Sequence, residues 1–492
     1  MVTLGLKQSY ATQLPHACVA WQPAVVERPE LLYFNTSLAE ALQLPLQPLR
    51  SEQLAHLLCG NPLPDDAHPV AQIYAGHQFG HFSPRLGDGR AVLLGEIESD
   101  RGVFDLSFKG SGQTPFSRSG DGKAAVGPML REVLISEALQ ALHIPTTRSL
   151  AVVATGETVY RESPLPGAIL TRVAASHIRV GTFEYFAARG ELAPLKQLAD
   201  YTIARHYPEL ATHADPYLGL LYGVIERQAA LIAAWMGIGF IHGVMNSDNM
   251  TLSGETIDYG PCAFMERYRT DAVFSSIDHF GRYAYKNQPQ IAQWNLTRLA
   301  ETLVPLMAMA PEEAVEAATA ALHHFMPRYQ LHRLQIMRQK LGLTSEFDNA
   351  DDDSVLIERW LTLLEQQQID YTLAWRALAD AAVGNLTPLQ QLFTELAPLQ
   401  AWLTAWQQRC QLEQGITPQQ RYRHIRQNNP WIIPRNHRVE EALAAATEGD
   451  LAPFQRLLQA ITHPYRDDKA SAPYAEPAPE QFMQQFQTFC GT

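Results

Sequence analysis

The spacing of apolar and polar positions changes character along the chain. Ala91 to Ile97 and Val103 to Lys109 are short apolar runs separated by the turn-rich stretch Glu98 to Gly102, which predicts two adjacent antiparallel strands. Gly127-Pro128 then opens a helical pattern that reaches His143, with the proline suited to a first turn and Pro145 just beyond the end. Strands are expected again at Leu150 to Val153, Thr158 to Arg161 and Gly167 to Val173. After Arg179 the pattern turns helical: Thr182 to Arg189, Leu192 to His206, Tyr217 to Met236, Trp294 to Met309, Pro311 to Phe325, Asp353 to Glu365 and Val439 to Ala460. The run Asp351-Asp352-Asp353 reads as an acidic helix N-terminus favoured by the helix dipole. Residues 1–69, rich in proline with helical stretches between Leu31 and Leu58, read as an N-terminal extension. Residues 70–180 form a strand-rich unit, 181–330 a helical one, and 331–492 a helical extension in which Pro464 to Pro479 looks like a loose linker. The predicted class is α+β.

Composition narrows the function. The chain has 492 residues, too many for one compact core, and its 46% hydrophobic and 18% charged residues are those of a globular protein. A formal net charge of -13 argues against nucleic acid as a partner. Against that acidic background Arg85, Arg90, Lys109, Arg118, Lys123, Arg131, Arg161, Arg172 and Arg179 concentrate positive charge, which suits a bound polyanion such as a triphosphate or, equally, a solvated surface. Cys18, Cys59, Cys262, Cys410 and Cys490 have neither metal-type spacing nor the pattern of a disulfide framework. No leader-like segment opens the chain and no apolar run reaches membrane-span length, so the expectation is a soluble, cytoplasmic monomer with no membrane partner.

The candidate chemistry lies in four segments. A turn centred on Ser253-Gly254 would set Asn249 opposite Asp258 across a short hairpin, roughly 5 Å apart at Cβ. An amide oxygen and a carboxylate suit a hard cation such as magnesium, whose shell water and nucleotide phosphates complete, although plain turn chemistry uses the same residue types. Gly87, Gly89 and Arg90 precede a strand, where backbone amides and a forked cation can approach phosphate, or simply make a tight turn. Lys109 ends an apolar strand and needs a partner. Glu132 is the candidate, because it shares a helix face with Met129, Ile135, Ser136 and Leu139. The loop Gln113 to Ala125, with Arg118, Asp121, Gly122 and Lys123, is placed to cover a nucleotide. Arg172 and Arg179 could reach its terminal phosphates or bridge two domains.

A Lys–Glu pair of this kind is used by protein kinases, whose catalytic loop sets the base two residues and the metal-binding Asn seven residues after a His. Counted from His242, these positions are Val244 and Asn249: the metal residue is kept, the base is apolar, and Asp248 stands immediately before the Asn. Asp258-Tyr259-Gly260 takes the place of Asp-Phe-Gly. Together with the strings Ala71 to His81, Phe104 to Arg118 and Asp258 to Pro261, these segments resemble the selenoprotein O family of protein adenylyltransferases over most of the chain. The resemblance implies a protein-kinase-like two-lobed fold, often classed as a pseudokinase, with a helical C-terminal extension. It implies ATP bound in the reversed sense, AMP transferred to Ser, Thr or Tyr hydroxyls of proteins, and pyrophosphate released; UMP transfer from UTP is a variant. Asp248 would be the catalytic proton acceptor, and Asn249 and Asp258 would hold Mg2+ or Mn2+. Gly87, Gly89, Arg90, Lys109, Asp121, Gly122, Arg172, Arg179 and Asp258 would contact the nucleotide, with Glu132 orienting Lys109. The alternatives are a kinase that transfers the γ-phosphoryl group through Asp248, or a non-catalytic nucleotide-binding scaffold. Eukaryotic relatives carry selenocysteine near the C-terminus; here Cys490 stands there, and a redox contact with Cys262 is a further expectation.

Overall fold

The computed structural model of the protein describes residues 2–344 and 350–489. Among them an eight-stranded sheet runs Cys18–Ala20, Val70–Gln72, Ala91–Ser99, Gly102–Lys109, Pro164–Ala174, Arg148–Tyr160, Glu30–Phe34, with Ala124–Ala125 added beside Pro164–Ala174. Its pairings are antiparallel. The first 69 residues thus supply two of its strands. Arg148–Tyr160 is one strand where two short ones were expected, because Pro164–Ala174 stays paired along it through two irregularities.

Strand alternation sorts the side chains between the faces. Leu106 and Phe108 join Val92, Leu94, Val153 and Ile169 in a core closed by Leu38, Leu54 and Leu57 of the N-terminal helices Thr36–Ala41 and Ser51–Leu57. On the other face Val152, Ala168 and Leu170 meet the helix Val126–Ala141. Lys109 projects there, opposite Leu170, and so does Arg172, opposite Ser107. Helix Val126–Ala141 is covered on its far side too, by Val439 and Leu443 of Asn436–Thr447 and by Phe454, Leu457 and Ile461 of Ala452–Ile461. The single helix expected from Val439 to Ala460 breaks between these two, where Gly449 takes φ +97 just past the first helix end.

The remainder is helical: Val180–Ala188, Leu192–His206, Pro216–Ile238, Gln288–Leu303, Pro311–His323, Phe325–Lys340 and Ala350–Gln366 share one core with Tyr371–Ala382 and Leu396–Gln411. Pro216–Ile238 shows why the boundaries fall where they do. Asp215 caps its N-terminus by accepting from Tyr217 and Leu218 N–H, Pro216 opens it, and Gly239 at φ +73 ends it. Asp353 of the acidic run is buried and pairs with Arg338 at 3.0 Å and Arg409 at 2.6 Å. The stretch from Pro464 to Pro479 is anchored rather than loose: the Pro464 carbonyl accepts from Trp431 and Ile432, and the Ala475 carbonyl from buried Arg435. No helix among the described residues is long and apolar enough to cross a membrane. Cys18, Cys59, Cys262 and Cys410 are free, and Cys490 lies outside the described residues.

Candidate active site

A cavity of about 790 Å3 opens between the Lys109 face of the sheet, the segment 244–261 and the C-terminal helix Asn436–Thr447. Gly87, Gly89, Arg90, Lys109, Asp121, Gly122, Glu132, Arg172, Arg179, Asp248, Asn249 and Asp258 all line it, so these residues, singled out for nucleotide, metal or proton chemistry, converge on one space. Arg118 does not line the cavity.

The route by which Asn249 and Asp258 come to line one cavity differs from the expected hairpin. The Met250 carbonyl accepts from Val180 N–H, and Leu252 N–H donates to Ile178; Thr256 N–H donates to Pro145 and its carbonyl accepts from Thr147. Each limb is therefore satisfied by a different neighbouring segment, and no ladder forms between them. The turn survives, with Gly254 at φ +81 and the Thr251 hydroxyl bonded to both the carbonyl and the N–H of Glu255. Asp258 itself takes φ +63. His242, buried, reaches the Ile257 carbonyl at 2.9 Å and so steadies the approach to it.

Charge is nearly balanced inside this site. Lys109 pairs with Glu132 and, at 2.7 Å, with Asp258. Arg172 reaches Asp258 at 2.9 Å, and Arg179 lies 3.9 Å from Asp258 and 4.0 Å from Asp88. Burial pushes the Asp258 carboxyl up, but Lys109, Arg172 and Arg179 together hold it well below the usual carboxylate range. Arg172 is oriented from behind: its Nε donates to His177 Nε2 at 3.2 Å, and His177 Nδ1 faces Asp105 at 2.9 Å. Burial lowers His177 to about 4, so it stays neutral and its Nε2 accepts. Arg90 makes no ion pair among the described residues.

Asp248 has a different environment. Burial raises its carboxyl to about 6, with Arg179 opposing. One oxygen, Oδ2, accepts from Gln78 Nε2 at 3.2 Å, while buried Oδ1 has no partner among the described residues. Asn249 donates from its amide nitrogen to the Val244 carbonyl at 3.1 Å. The loop over the cavity is shaped by Gly122 at φ +67, and Asp121 is held by Arg161 at 2.9 Å.

Several lining residues had no signal in the sequence. Tyr74 lies under the Arg179 guanidinium at 4.4 Å, and Leu443, Ala444 and Thr447 come from a helix more than 180 positions after Asp258. Gln487, Thr488 and Phe489 also line the cavity; Thr488 N–H bonds the Phe274 carbonyl at 2.8 Å, and its hydroxyl bonds the Pro261 carbonyl at 2.6 Å.

The protein adenylyltransferase SelO family model matches residues 1–462. The chain belongs to that family. It is 55% identical to the protein nucleotidyltransferase YdiU of Chromobacterium violaceum over 97% of this chain and 100% of the relative. The proteins of the same name from Cereibacter sphaeroides and a Mycobacterium species are 54% and 53% identical, over 100% of both chains. Membership of the SelO family makes the protein a nucleotidyltransferase, with a nucleotide as co-substrate.

Proposed function

We propose that the protein transfers AMP from ATP to Ser, Thr or Tyr hydroxyls of proteins, on a kinase-like two-lobed frame, and that Asp248 takes the hydroxyl proton. The observation that carries this reading is the one cavity lined by Asp248 together with Lys109, Arg172 and Arg179. A lysine on a strand paired with a glutamate on a packed helix supports the kinase-like frame. Terminal phosphates lying against Arg90, Lys109, Arg172 and Arg179 leave the α-phosphorus for the acceptor. The acceptor oxygen bonds to that phosphorus as its proton passes to Asp248. The bond from the α-phosphorus to the bridging oxygen breaks, and its electron pair leaves with pyrophosphate. The fixed cations stabilise that developing charge without reorganising.

The donor set fits a divalent ion. Among the described residues no hydrogen bond reaches Asp258 Oδ2, which lies 3.9 Å from Arg179, and Asn249 spends its amide nitrogen rather than its oxygen, which leaves one oxygen on each for Mg2+ or Mn2+. Such an ion supplies neutralisation of phosphate charge, which Lys109, Arg172 and Arg179, already matched by Glu132, Asp258 and Asp88, supply only in part. The rim suits a polypeptide acceptor: Ile277 and Phe489 line the cavity and are 48% and 67% exposed, and Phe280 nearby in sequence is 98% exposed.

The test is ATP labelled at the α- or the γ-phosphate, incubated with the protein and Mg2+ or Mn2+, with label and intact mass read on the protein itself. Label from the α position and an AMP-sized mass gain are expected. Protein-bound γ label would favour the kinase reading, and nucleotide binding without either label the scaffold. UTP in a parallel arm tests the UMP variant. Asp248→Ala is expected to lower transfer by about 100-fold or more while ATP affinity stays within a few-fold.

A further inference from the structure

The segment Ala71 to His81 runs into a short hairpin, Gly76 to Ser83, that the chemistry above leaves unused. Gly76–Gln78 pairs with His81–Ser83, and the two-residue turn is Phe79-Gly80 with φ +51 and φ +85. Glycine suits that turn; a bulky phenylalanine in the left-handed region is strained and persists only where surrounding contacts hold it. Its backbone bonds lead to the segment of Asp248 and to Tyr283, which itself bonds that segment. Phe79 N–H donates to Asn246 Oδ1 at 3.1 Å and to the Tyr283 hydroxyl at 3.0 Å, and the Tyr283 hydroxyl in turn donates to Asn246 at 2.6 Å. His77 N–H donates to the Ser247 hydroxyl at 2.7 Å, and both the His77 ring and the Ser247 hydroxyl bond the buried carboxylate of Glu184. Gly76 sits so close that a Cβ there would fall 2.5 Å from Asp248 Oδ1. The consecutive residues 76 to 79 therefore grip Asn246, Ser247 and Asp248 one after another, and Gln78 lines the same cavity as Asp248.

We infer that Gln78 is a positioning residue for the transfer reaction: clamped by the hairpin, its amide fixes the Asp248 carboxylate in the orientation that receives the acceptor proton. The inference rests on the role proposed for Asp248. Two features separate it from packing alone. Gln78 Nε2 is the only side-chain donor to the Asp248 carboxylate among the described residues, and none of the hairpin's other bonds reaches that carboxylate. A carboxylate held by one amide keeps its rotamer without being neutralised, whereas an arginine in that place would lower its basicity. Gly76 closes the far side, so the carboxylate can neither rotate toward the hairpin nor gain a second donor from it.

The experiment compares maximal rate and half-saturating ATP for self-modification by the full-length protein and its Gln78→Leu, Gln78→Glu and Asp248→Ala variants, with affinity for a non-hydrolysable ATP analogue measured by calorimetry. Gln78→Leu keeps the bulk and loses the amide; the maximal rate should fall about 10- to 100-fold with half-saturating ATP and analogue affinity within about twofold of the parent. Gln78→Glu, which places a second carboxylate beside Asp248, should fall further, and it carries the same expectation should the leucine variant not fold. A maximal rate for Gln78→Leu within twofold of the parent, with Asp248→Ala inactive, overturns the inference and leaves the role of Asp248 standing. A rise in half-saturating ATP with the maximal rate unchanged also overturns it, because Gln78 would then be a nucleotide contact. Full activity in Asp248→Ala removes both readings together.

Discussion

Arg90 stands apart from the other cations around the cavity. Lys109, Arg172 and Arg179 are each within 4.0 Å of a carboxylate, Arg131 pairs with Glu440 at 2.9 Å and Arg161 with Asp121 at 2.9 Å, whereas Arg90 keeps its guanidinium unpaired among the described residues. Paired cations are part of the folded structure, since removing one leaves an uncompensated buried charge; an unpaired one at a cavity wall can be removed with little effect on folding. Arg90→Met is therefore expected to raise the half-saturating concentration of ATP by about 10- to 100-fold, the worth of one charge-assisted hydrogen bond, with the thermal midpoint nearly unchanged. Initial rates against ATP and a melting curve check both halves. Glu132 illustrates the opposite case. Its place opposite Lys109 was readable from helix periodicity, because one carboxylate interrupted a buried face, and the two side chains do meet.

At the scale of elements, the loop over the cavity depends on one close approach. Gly122 has φ +67, and a Cβ there would sit 2.1 Å from the Gly112 carbonyl oxygen, a backbone atom that cannot swing aside. Gly122→Ala should therefore displace the loop that carries Asp121 and Lys123 and weaken ATP binding by at least about tenfold, read by calorimetry, while the helical core keeps its cooperative unfolding. Helix Val126–Ala141 shows where sequence periodicity stops being informative. A helix with a solvent side displays its core as a stripe, but this one is packed on the sheet and on Asn436–Thr447 and Ala452–Ile461, so both of its sides are apolar. The 250–258 turn fails in another way. Its residues suit a hairpin, yet the backbone groups of its limbs find partners in 178–180 and 145–147, and such choices depend on segments that no local pattern names.

At the scale of the whole molecule, buried charge ties the C-terminal helices to the rest. Arg435, fully buried, bonds both Glu266 and, at 2.6 Å, Asp370, as well as the Ala475 carbonyl at 3.1 Å, so three distant segments meet on one side chain. Lys340 has no such carboxylate among the described residues; its amine lies 5.0 Å from the Trp375 ring and 5.7 Å from that of Tyr371, and burial lowers it from the usual lysine range to about 7. Because the unfolded chain holds that proton up to about pH 10.4, it binds more protons than the folded one between pH 7 and pH 10. Lys340 therefore costs stability in full below pH 7, and the cost fades as pH rises through that window. Lys340→Met should stabilise the protein at pH 6 by on the order of 1–3 kcal/mol, after the attraction of the amine to the rings is lost, and the gain should vanish near pH 10; unfolding midpoints across that range decide it. The sequence by itself determined the α+β class, most of the helices it predicted to within a few residues, and the polar, charged and glycine residues expected to handle nucleotide, metal and proton that line the cavity, because periodicity, caps and residue chemistry are local properties. Only the tertiary structure decided that the first 69 residues complete the sheet, that Asn249 and Asp258 line one cavity without a ladder between them, that Gln78 bonds Asp248, and that residues 440–447 and 487–489 wall the cavity. Each of these joins segments far apart in the chain, and which of many sterically possible pairings forms is set by the packing of the whole core rather than by any one stretch of it.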